Sequence, residues 1–272
     1  MGDSSETILR FERVNLSFDE TPALVDLTFE VRSGETRVLL GAAGSGKTML
    51  LKSAVGLVRP DSGRVILFGH EITAIPEQDL FGIRSRVGML FQEGGLFDSL
   101  TIEENVSYPL LNRRYGTPAL DEVKPRVEEA LRLVELEHTL DKFPSELSGG
   151  MRRRVGIARA TVTNAELVLY DSPTAGLDPI TANTIMAVLI KERELYGMTS
   201  IVVTQRYQDG HLLANFRYNP DRDGIEDVSR NGGRGGLRTT FMVMREGRLV
   251  FEGTQEELES SQNPYVSRFV RR

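Results

Sequence analysis

The segment that decides the fold of this chain is 36–58, "TRVLLGAAGSGKTMLLKSAVGLV". A short apolar run leads into the glycine-rich stretch "GAAGSGKT", and residues with helical spacing follow from about Lys47. The glycine-rich stretch matches G-x-x-x-x-G-K-[ST] in full, and a strand before it with a helix after it is the context that a phosphate-binding loop requires. The segment therefore predicts a nucleoside triphosphate site, a property that kinases, GTPases and ATPases share.

The chemistry of this loop assigns a role to each part of it. Glycines let the backbone wrap closely enough for its N–H groups to point at phosphate oxygens, and the following helix adds the positive end of its dipole. We expect Lys47 to bridge the β- and γ-phosphates and the Thr48 hydroxyl to bind Mg²⁺. The predicted nucleotide-binding residues of the loop are Gly41, Ala42, Ala43, Gly44, Ser45, Gly46, Lys47 and Thr48.

A second segment, "PSELSGGMRRRVGIARA" (144–160), predicts another phosphate contact. Ser148, Gly149 and Gly150 form a small-residue turn before a helical run, and such a turn offers a hydroxyl and bare N–H groups to an anion. One chain would then carry two phosphate sites but only one loop able to hold a nucleotide. A head-to-tail dimer, in which this turn covers the nucleotide of the partner, resolves the mismatch. The arginines at 152–154 are expected to form a solvated helix face, with phosphate contact as the alternative.

Composition limits the possible classes. The chain has 272 residues, 40% of them hydrophobic and 26% charged, as a globular protein has. Its 33 basic and 39 acidic residues give a net charge of −6, so no global basic field recruits nucleic acid. Cysteine is absent, which excludes disulfides, thiol catalysis and a cysteine-rich zinc site. No signal peptide and no apolar run of about 20 residues is visible, so a membrane role would depend on a partner.

The remaining segments indicate a mixed fold. Strand-like alternation covers 8–32, and 199–205 is a buried-strand run, as is "ELVLYD", which ends at Asp171. Residues 241–253 predict a hairpin around Glu246 and Gly247. The polar, glycine-rich segment 217–240 is interpreted as a long loop. Between these parts lies an amphipathic helix whose apolar positions are Leu120, Val123, Val127, Leu131 and Val134.

Taken together and in this order, "GAAGSGKT", "MLFQ", "LSGGM", "LVLYD" and "AGLDP" resemble the ATP-binding subunits of ABC transporters over nearly the whole chain. The resemblance implies that Gln92 touches magnesium and senses a membrane partner, and that Asp171 holds magnesium through water. It also implies that Asp178 communicates across a dimer and that Ser148, Gly149 and Gly150 act in trans. Together with Thr48, this gives Gln92 and Asp171 as the expected magnesium residues.

A narrower resemblance concerns transport type. "MLFQEGGLFDSLTIEENVSYPL" and "PSELSGGMRRR" look like the Mla and Mce subclass, which drives lipid movement across bacterial envelopes. Met151 stands where most ABC proteins have glutamine. The resemblance implies a homodimer at the cytoplasmic face of the inner membrane, permease subunits as partners, and Mce-type substrate-binding proteins as a further partner. Nucleic acid is not expected.

The chain departs from the family at its catalytic positions. Ser172 stands where the family has the catalytic glutamate, and Gln205 stands where it has the switch histidine. Loss of a general base typically costs ~10²–10⁴ in rate. We therefore expect tight ATP binding with slow hydrolysis by Lys47, Gln92, Asp171, Ser172 and Gln205. Such a slow ATPase could recruit another carboxylate, Glu93 or, as a weaker candidate, Asp178. The alternative is a non-hydrolysing ATP clamp that pairs with or regulates an active partner.

The adenine position departs as well, since Glu20 stands where many members have an aromatic residue and Phe18 lies two residues away. The expected fold is α/β: a P-loop ABC cassette with an antiparallel β-subdomain and an inserted helical subdomain. The expected division is one domain over 1–272, with the α/β core at about 1–92 and 161–272, the helical subdomain at about 93–160, and the insertion loop at 217–240.

Overall fold

The computed structural model of the protein describes residues 6–92, 94–112, 118–229 and 238–270. In these residues the strands are β1 (Thr7–Phe18), β2 (Thr21–Arg32), β3 (Thr36–Gly41), β4 (Ser62–Leu67), β5 (His70–Glu71), β6 (Val87–Leu90), β7 (Leu167–Asp171), β8 (Thr199–Thr204), β9 (Phe216–Asn219), β10 (Gly224–Asp227), β11 (Thr239–Arg245) and β12 (Arg248–Gly253). The helices are α1 (Lys47–Ala54), α2 (Leu80–Arg84), α3 (Ile102–Leu111), α4 (Leu120–Leu133), α5 (Gly149–Thr161), α6 (Pro179–Tyr196), α7 (Tyr207–Asn215), α8 (Gln255–Glu259) and α9 (Pro264–Val270).

A six-stranded sheet forms the centre, in the order β12-β11-β3-β8-β7-β6. Its strands are parallel except β12, which pairs antiparallel with β11 at one edge. Every residue of β3, β7 and β8 is buried, as expected of parallel strands covered on both faces. Because β3, β8 and β7 are neighbours, the loops that follow them meet at the same edge of the sheet.

An antiparallel sheet, in the order β2-β1-β4-β5, packs beside the central sheet. Phe11 and Phe29 face each other across β1 and β2, with ring centroids 4.7 Å apart. They share one hydrophobic core with Leu50 and Leu51 of α1. Helix α1 ends at Ala54, earlier than the helical spacing to residue 58 suggested, because Gly56 takes φ +70° and stops it.

Helices α3, α4 and α5 lie between β6 and β7 in the chain and pack on one another. Helix α3 begins with a capping box in which Thr101 and Glu104 bond each other's backbone N–H groups. The predicted amphipathic helix is α4, and four of its five apolar positions are buried. The fifth, Leu120, is 81% exposed because it is the first residue of the helix and lies beyond the packed face.

The C-terminal part corrects one prediction. The segment 217–240 contains the antiparallel pair β9 and β10, which packs against α6, and β11 begins at Thr239. Its turn sequence "NPDRDG" hid the strands, since they are short and only partly buried. The predicted hairpin at 241–253 is present, with Glu246 and Gly247 both at positive φ. In the described residues, no helix combines the length and the apolar character needed to cross a bilayer.

Candidate nucleotide-binding site

The phosphate-binding loop lies between the carboxyl end of β3 and the first residue of α1, as predicted. Gly44 and Gly46 take φ +74° and +101°, which favour glycine. A Cβ on Gly46 would lie 2.3 Å from the Ala23 carbonyl oxygen, so that position has no room for a side chain. The sequence therefore fixes a tight loop whose N–H groups and helix N-terminus converge on one point.

Lys47 is buried inside this loop. Its Nζ donates to the Gly41 and Ala42 carbonyls at 2.8 and 2.6 Å and to Ser45 Oγ at 3.2 Å. Burial lowers the pKa of Lys47 to about 8, although the nearby Asp171 carboxylate acts in the opposite direction. A phosphate oxygen is a stronger acceptor for an ammonium group than a neutral carbonyl. The side chain is thus positioned for a phosphate that enters beside Gly41 and Ala42.

Thr48 and Asp171 come together although they are far apart in sequence. Thr48 Oγ1 donates to Asp171 Oδ2 at 2.8 Å, and Asp171 is buried at the end of β7. A hydroxyl and a carboxylate are the hard oxygen donors that Mg²⁺ prefers, so this pair fits that ion. Gln92, the third predicted magnesium residue, is exposed in the loop after β6. In the described part of the chain, no hydrogen bond joins its side chain to the other two.

The backbone of Ser172 is held on both sides. Its N–H donates to the Val203 carbonyl at 3.0 Å, and its own carbonyl accepts from Arg153 Nη1 at 2.9 Å. Its hydroxyl donates to Asp171 Oδ1 at 3.1 Å, and its φ is +55°. In the described residues no hydrogen bond offers this hydroxyl a base other than Asp171, the proposed magnesium carboxylate. The geometry therefore supplies no proton acceptor through Ser172 itself.

The arginine run at 152–154 is not the solvated face that the sequence suggested. Arg153 is 8% exposed and donates to the carbonyls of Ser172 and Ala175, so it fixes the loop after β7. Arg152 donates to the Leu147 carbonyl, and Arg154 to that of Val134. Small residues along α5 bring this helix close to its neighbours. The long arginine side chains therefore reach backbone carbonyls instead of water.

Asp209 joins the two loops that carry the unusual residues, a role that no motif predicted. Its Oδ2 accepts from Thr174 Oγ1 and Thr204 Oγ1, both at 2.6 Å, and burial raises its pKa. Thr174 lies two residues after Ser172, and Thr204 immediately precedes Gln205. Gln205 itself is exposed at the end of β8. The one sequence signal for this role is that Asp209 lies in the first turn of α7, five residues after Thr204.

The turn at Ser148 to Gly150 opens α5, as predicted. Ser148 Oγ accepts from the Met151 N–H at 3.2 Å, and Gly149 faces open space. A Cβ on Gly150 would lie 2.5 Å from Thr181 Cγ2, so this turn contacts the start of α6.

Asp178 caps α6 by accepting from two N–H groups and from the Thr181 hydroxyl. The Thr181 hydrogen bonds lower the pKa of Asp178. This makes Asp178 a poor recruited base. The other recruited-base candidate, Glu93, lies outside the described residues.

Phe18, the alternative adenine contact, is exposed beside the turn at Asp19 and Glu20, both of which have positive φ. This turn joins β1 and β2 and orients Glu20 through its backbone conformation. An exposed aromatic ring at such a turn can stack on a purine.

Two relatives are similar to this chain in sequence. A Mycobacterium leprae protein described as a probable ribonucleotide transport ATP-binding protein, mkl, is 34% identical over 93% of this chain and 66% of its own length. The methionine import ATP-binding protein MetN of Mesorhizobium japonicum is 36% identical over 88% of this chain and 63% of its own length. The chain thus spans just under two thirds of the length of these relatives.

Two solved structures match the architecture. One is a dimeric ATP-binding cassette in a post-hydrolysis state bound to ADP and Pi, with TM-score 0.74 and 28% identity over 91% of this chain and 98% of that one. The other is cbiO1 from Clostridium perfringens, part of the ABC transporter complex cbiONQ, with TM-score 0.74 and 27% identity over 97% and 94%. The expected fold class is confirmed. Since residues 24–175 also match the ABC transporter family, this chain belongs to the ABC transporter family as an ATP-binding cassette.

Proposed function

We propose that the chain is the ATP-binding subunit of a membrane transporter and that closure of a cassette dimer around ATP drives transport. The observation that carries this is the meeting of Lys47, Thr48 and Asp171 at the carboxyl ends of β3 and β7, which lie on either side of β8. ATP is the cofactor, with its triphosphate in loop 41–48. Bound Mg²⁺, held by Thr48, Asp171 and Gln92, would neutralise phosphate charge.

The proposed dimer is head to tail. Ser148 and Gly149 of this turn are exposed, so a second copy can receive the N–H groups of the turn at its γ-phosphate. Asp178 lies beside this turn through the contact between Gly150 and Thr181 and would respond to closure. The division into an α/β core and a helical subdomain at about 93–160 belongs to this proposal.

A groove of about 500 Å³ supports a membrane permease as partner. It lies between α2, β6, α3 and the end of α5, and it presents the exposed aromatic side chains Phe81, Phe91, Phe97 and Tyr108. Clustered exposed aromatic rings of this kind mark protein interaction sites. The groove lies next to Gln92 and covers part of 94–110, so a docked permease segment can sense the nucleotide site. We place the subunit at the cytoplasmic face of the inner membrane.

Hydrolysis is proposed to be slow. In-line attack on the γ-phosphate needs a positioned water and a group that accepts its proton. Ser172 gives its hydrogen bond to Asp171 and offers no base, while Gln205 can hydrogen-bond a phosphate oxygen but does not titrate near neutral pH. Lys47 and the partner turn keep their positioning and electrostatic roles.

The proposed cargo is an envelope lipid or similar hydrophobic compound. Support comes from the two sequence stretches that look like the Mla and Mce subclass. The relatives reported above are described for ribonucleotide and methionine transport, and they lend no support to Mce-type partners. Transport of vesicle-bound phospholipid by the reconstituted complex, compared with methionine and ribonucleotide, tests this part.

The second candidate function is a non-hydrolysing ATP clamp, favoured by the simultaneous loss of glutamate and histidine at 172 and 205. Steady-state ATP hydrolysis separates the two when the parent, Ser172→Glu and Ser172→Glu/Gln205→His are measured with the permease. Slow turnover in the parent and a ~10²-fold or greater rise in the variants supports a slow ATPase. If Lys47→Ala leaves the measured ATP turnover unchanged, that turnover comes from a contaminating enzyme. The chain itself then does not hydrolyse ATP, which argues for the clamp. A fast parent that Ser172→Glu does not change contradicts the role given to Ser172.

A further inference from the structure

The C-terminal helix α9 is fastened to the phosphate-binding loop of its own chain. The Tyr265 hydroxyl donates to the Met244 carbonyl at 3.2 Å and accepts the Ala42 N–H at 3.4 Å. Met244 of β11 pairs with Gly41, the last residue of β3. The Tyr265 hydroxyl therefore links β11 to Ala42, the first loop residue after β3. Val266 is fully buried and anchors the helix. The structure packs α9 within its own chain.

Beside this contact, a pocket of about 480 Å³ lies between α9 and the loop. Its floor is the backbone of residues 42–45, and its walls carry Arg245, Glu246, Tyr265 and Arg268. Arg245 is already engaged, since it pairs with Glu246 at 3.2 Å and its guanidinium lies 5.1 Å above the Tyr265 ring. Arg268 differs, because no carboxylate of the described residues lies within 4.0 Å of its guanidinium. Arg268 lines this pocket together with loop residues 42–45, and a guanidinium beside backbone N–H groups favours an oxyanion.

The position along the triphosphate follows from Lys47. Its ammonium contacts the carbonyls of Gly41 and Ala42, and this lysine bridges the β- and γ-phosphates in the proposed function. The β- and γ-phosphates therefore belong beside Gly41 and Ala42, and Ala42 is the residue that Tyr265 holds. The terminal phosphate of ATP also carries the charge that ADP lacks. Ser172 and Gln205, both neutral, do not compensate that charge.

We propose that Arg268 of the C-terminal helix binds the terminal phosphate of the ATP held by its own chain, while Tyr265 positions the loop for this contact. This inference rests on the proposed function. It adds that Arg268 makes the chain bind ATP more tightly than ADP. Because the contact lies within one chain, it operates in the monomer, before any partner cassette closes on the nucleotide.

The experiment is equilibrium binding of MgATP and MgADP to the full-length chain at a concentration where it is monomeric, by calorimetry. Arg268→Gln lowers ATP affinity by about tenfold, the loss expected of one charge-assisted hydrogen bond, and leaves ADP affinity within about twofold. Arg268→Lys recovers part of the difference because it restores the charge. Tyr265→Phe weakens both nucleotides, since the loop loses a support. The matched control is Arg132→Gln, an exposed arginine of α4, which changes neither.

The outcomes separate cleanly. A parent that is folded and binds neither nucleotide refutes the proposed function. A parent that binds ATP, with an Arg268→Gln variant that binds it equally well, refutes only the role of Arg268. An equal loss for ATP and ADP refutes the terminal-phosphate assignment. A gain in ATP affinity on Arg268→Gln, or on removal of residues 264–272 from a chain that still folds, shows that α9 obstructs the site and overturns the inference.

Discussion

Substitution of Asp209 tests how the loop after β7 and the loop after β8 are held together. Asp209→Ala leaves the hydroxyls of Thr174 and Thr204 buried without their acceptor, and both hydrogen bonds are 2.6 Å long in the parent. Each buried group left unsatisfied costs about 1–3 kcal/mol, which gives about 2–6 kcal/mol for the pair. Burial of the carboxylate, which raises its pKa, offsets part of this. We expect a net loss of about 3 kcal/mol, and a smaller loss for Asp209→Asn, which keeps an acceptor oxygen.

A double-mutant cycle in urea unfolding isolates the interaction. Thr174→Val alone is expected to cost about 1–2 kcal/mol, and close to nothing when Asp209 is already alanine. Hydrogen exchange adds a local readout, because the amides at 172–177 and 205–209 should exchange faster in Asp209→Ala while those of β3 do not. If Thr174→Val costs the same in both backgrounds, the two hydroxyl bonds do not carry the coupling and the reasoning fails.

Three further predictions follow from buried groups and tight turns. Burial raises the pKa of Glu192 from 4.5 to about 8, so the folded state binds more protons than the unfolded state between these values. Stability should therefore fall by up to about 1.4 kcal/mol per pH unit as pH rises through this window, and thermal unfolding of Glu192→Gln should lose that slope. Gly46→Ala should abolish nucleotide binding, since its Cβ would meet a carbonyl at 2.3 Å, whereas Gly44→Ala, which faces open space, should cost only about 1–2 kcal/mol of backbone strain in urea unfolding. Arg153→Gln should lower the unfolding temperature and speed hydrogen exchange in the loop after β7, because two carbonyls there lose a donor; unchanged exchange would contradict that role.

Sequence patterns predicted the parts of the fold in which local chemistry and tertiary structure agree. The loop at 41–48 needs its glycines, its preceding strand and its following helix together, so its pattern is specific. The apolar face of α4 was predictable because burial of a helix repeats every 3.6 residues. Leu120 was predicted wrongly because periodicity does not tell where a packed face ends. The pair β9 and β10 was missed because strands of four partly buried residues carry little pattern.

The site depends on contacts that no local pattern encodes. Arg153 reaches the Ser172 carbonyl from α5, and Asp209 accepts from a hydroxyl in the loop after β7 and from one at the end of β8. Each role therefore exists only once the chain has folded. The placement of Tyr265 against Ala42 joins residues 223 positions apart. The surface that α9 covers is a tertiary property that no local pattern gives.

These contacts also explain how a chain with Ser172 and Gln205 at the proposed catalytic positions can keep the geometry of the candidate site. The loop after β7 is fixed through the backbone N–H and carbonyl of Ser172, and the loop after β8 through Thr204 and Asp209. Within the described residues the Ser172 side chain makes one hydrogen bond, to Asp171, and Gln205 is exposed, so neither side chain carries the loop structure. We therefore expect substitution at 172 or 205 to alter the proposed proton transfer and to leave the Thr48–Asp171 pair and the loop at 41–48 intact. Ser172→Glu should thus raise ATP turnover while ATP affinity stays within about threefold of the parent. A variant that gains turnover only by losing ATP affinity would show that binding and hydrolysis are coupled through the loop after β7.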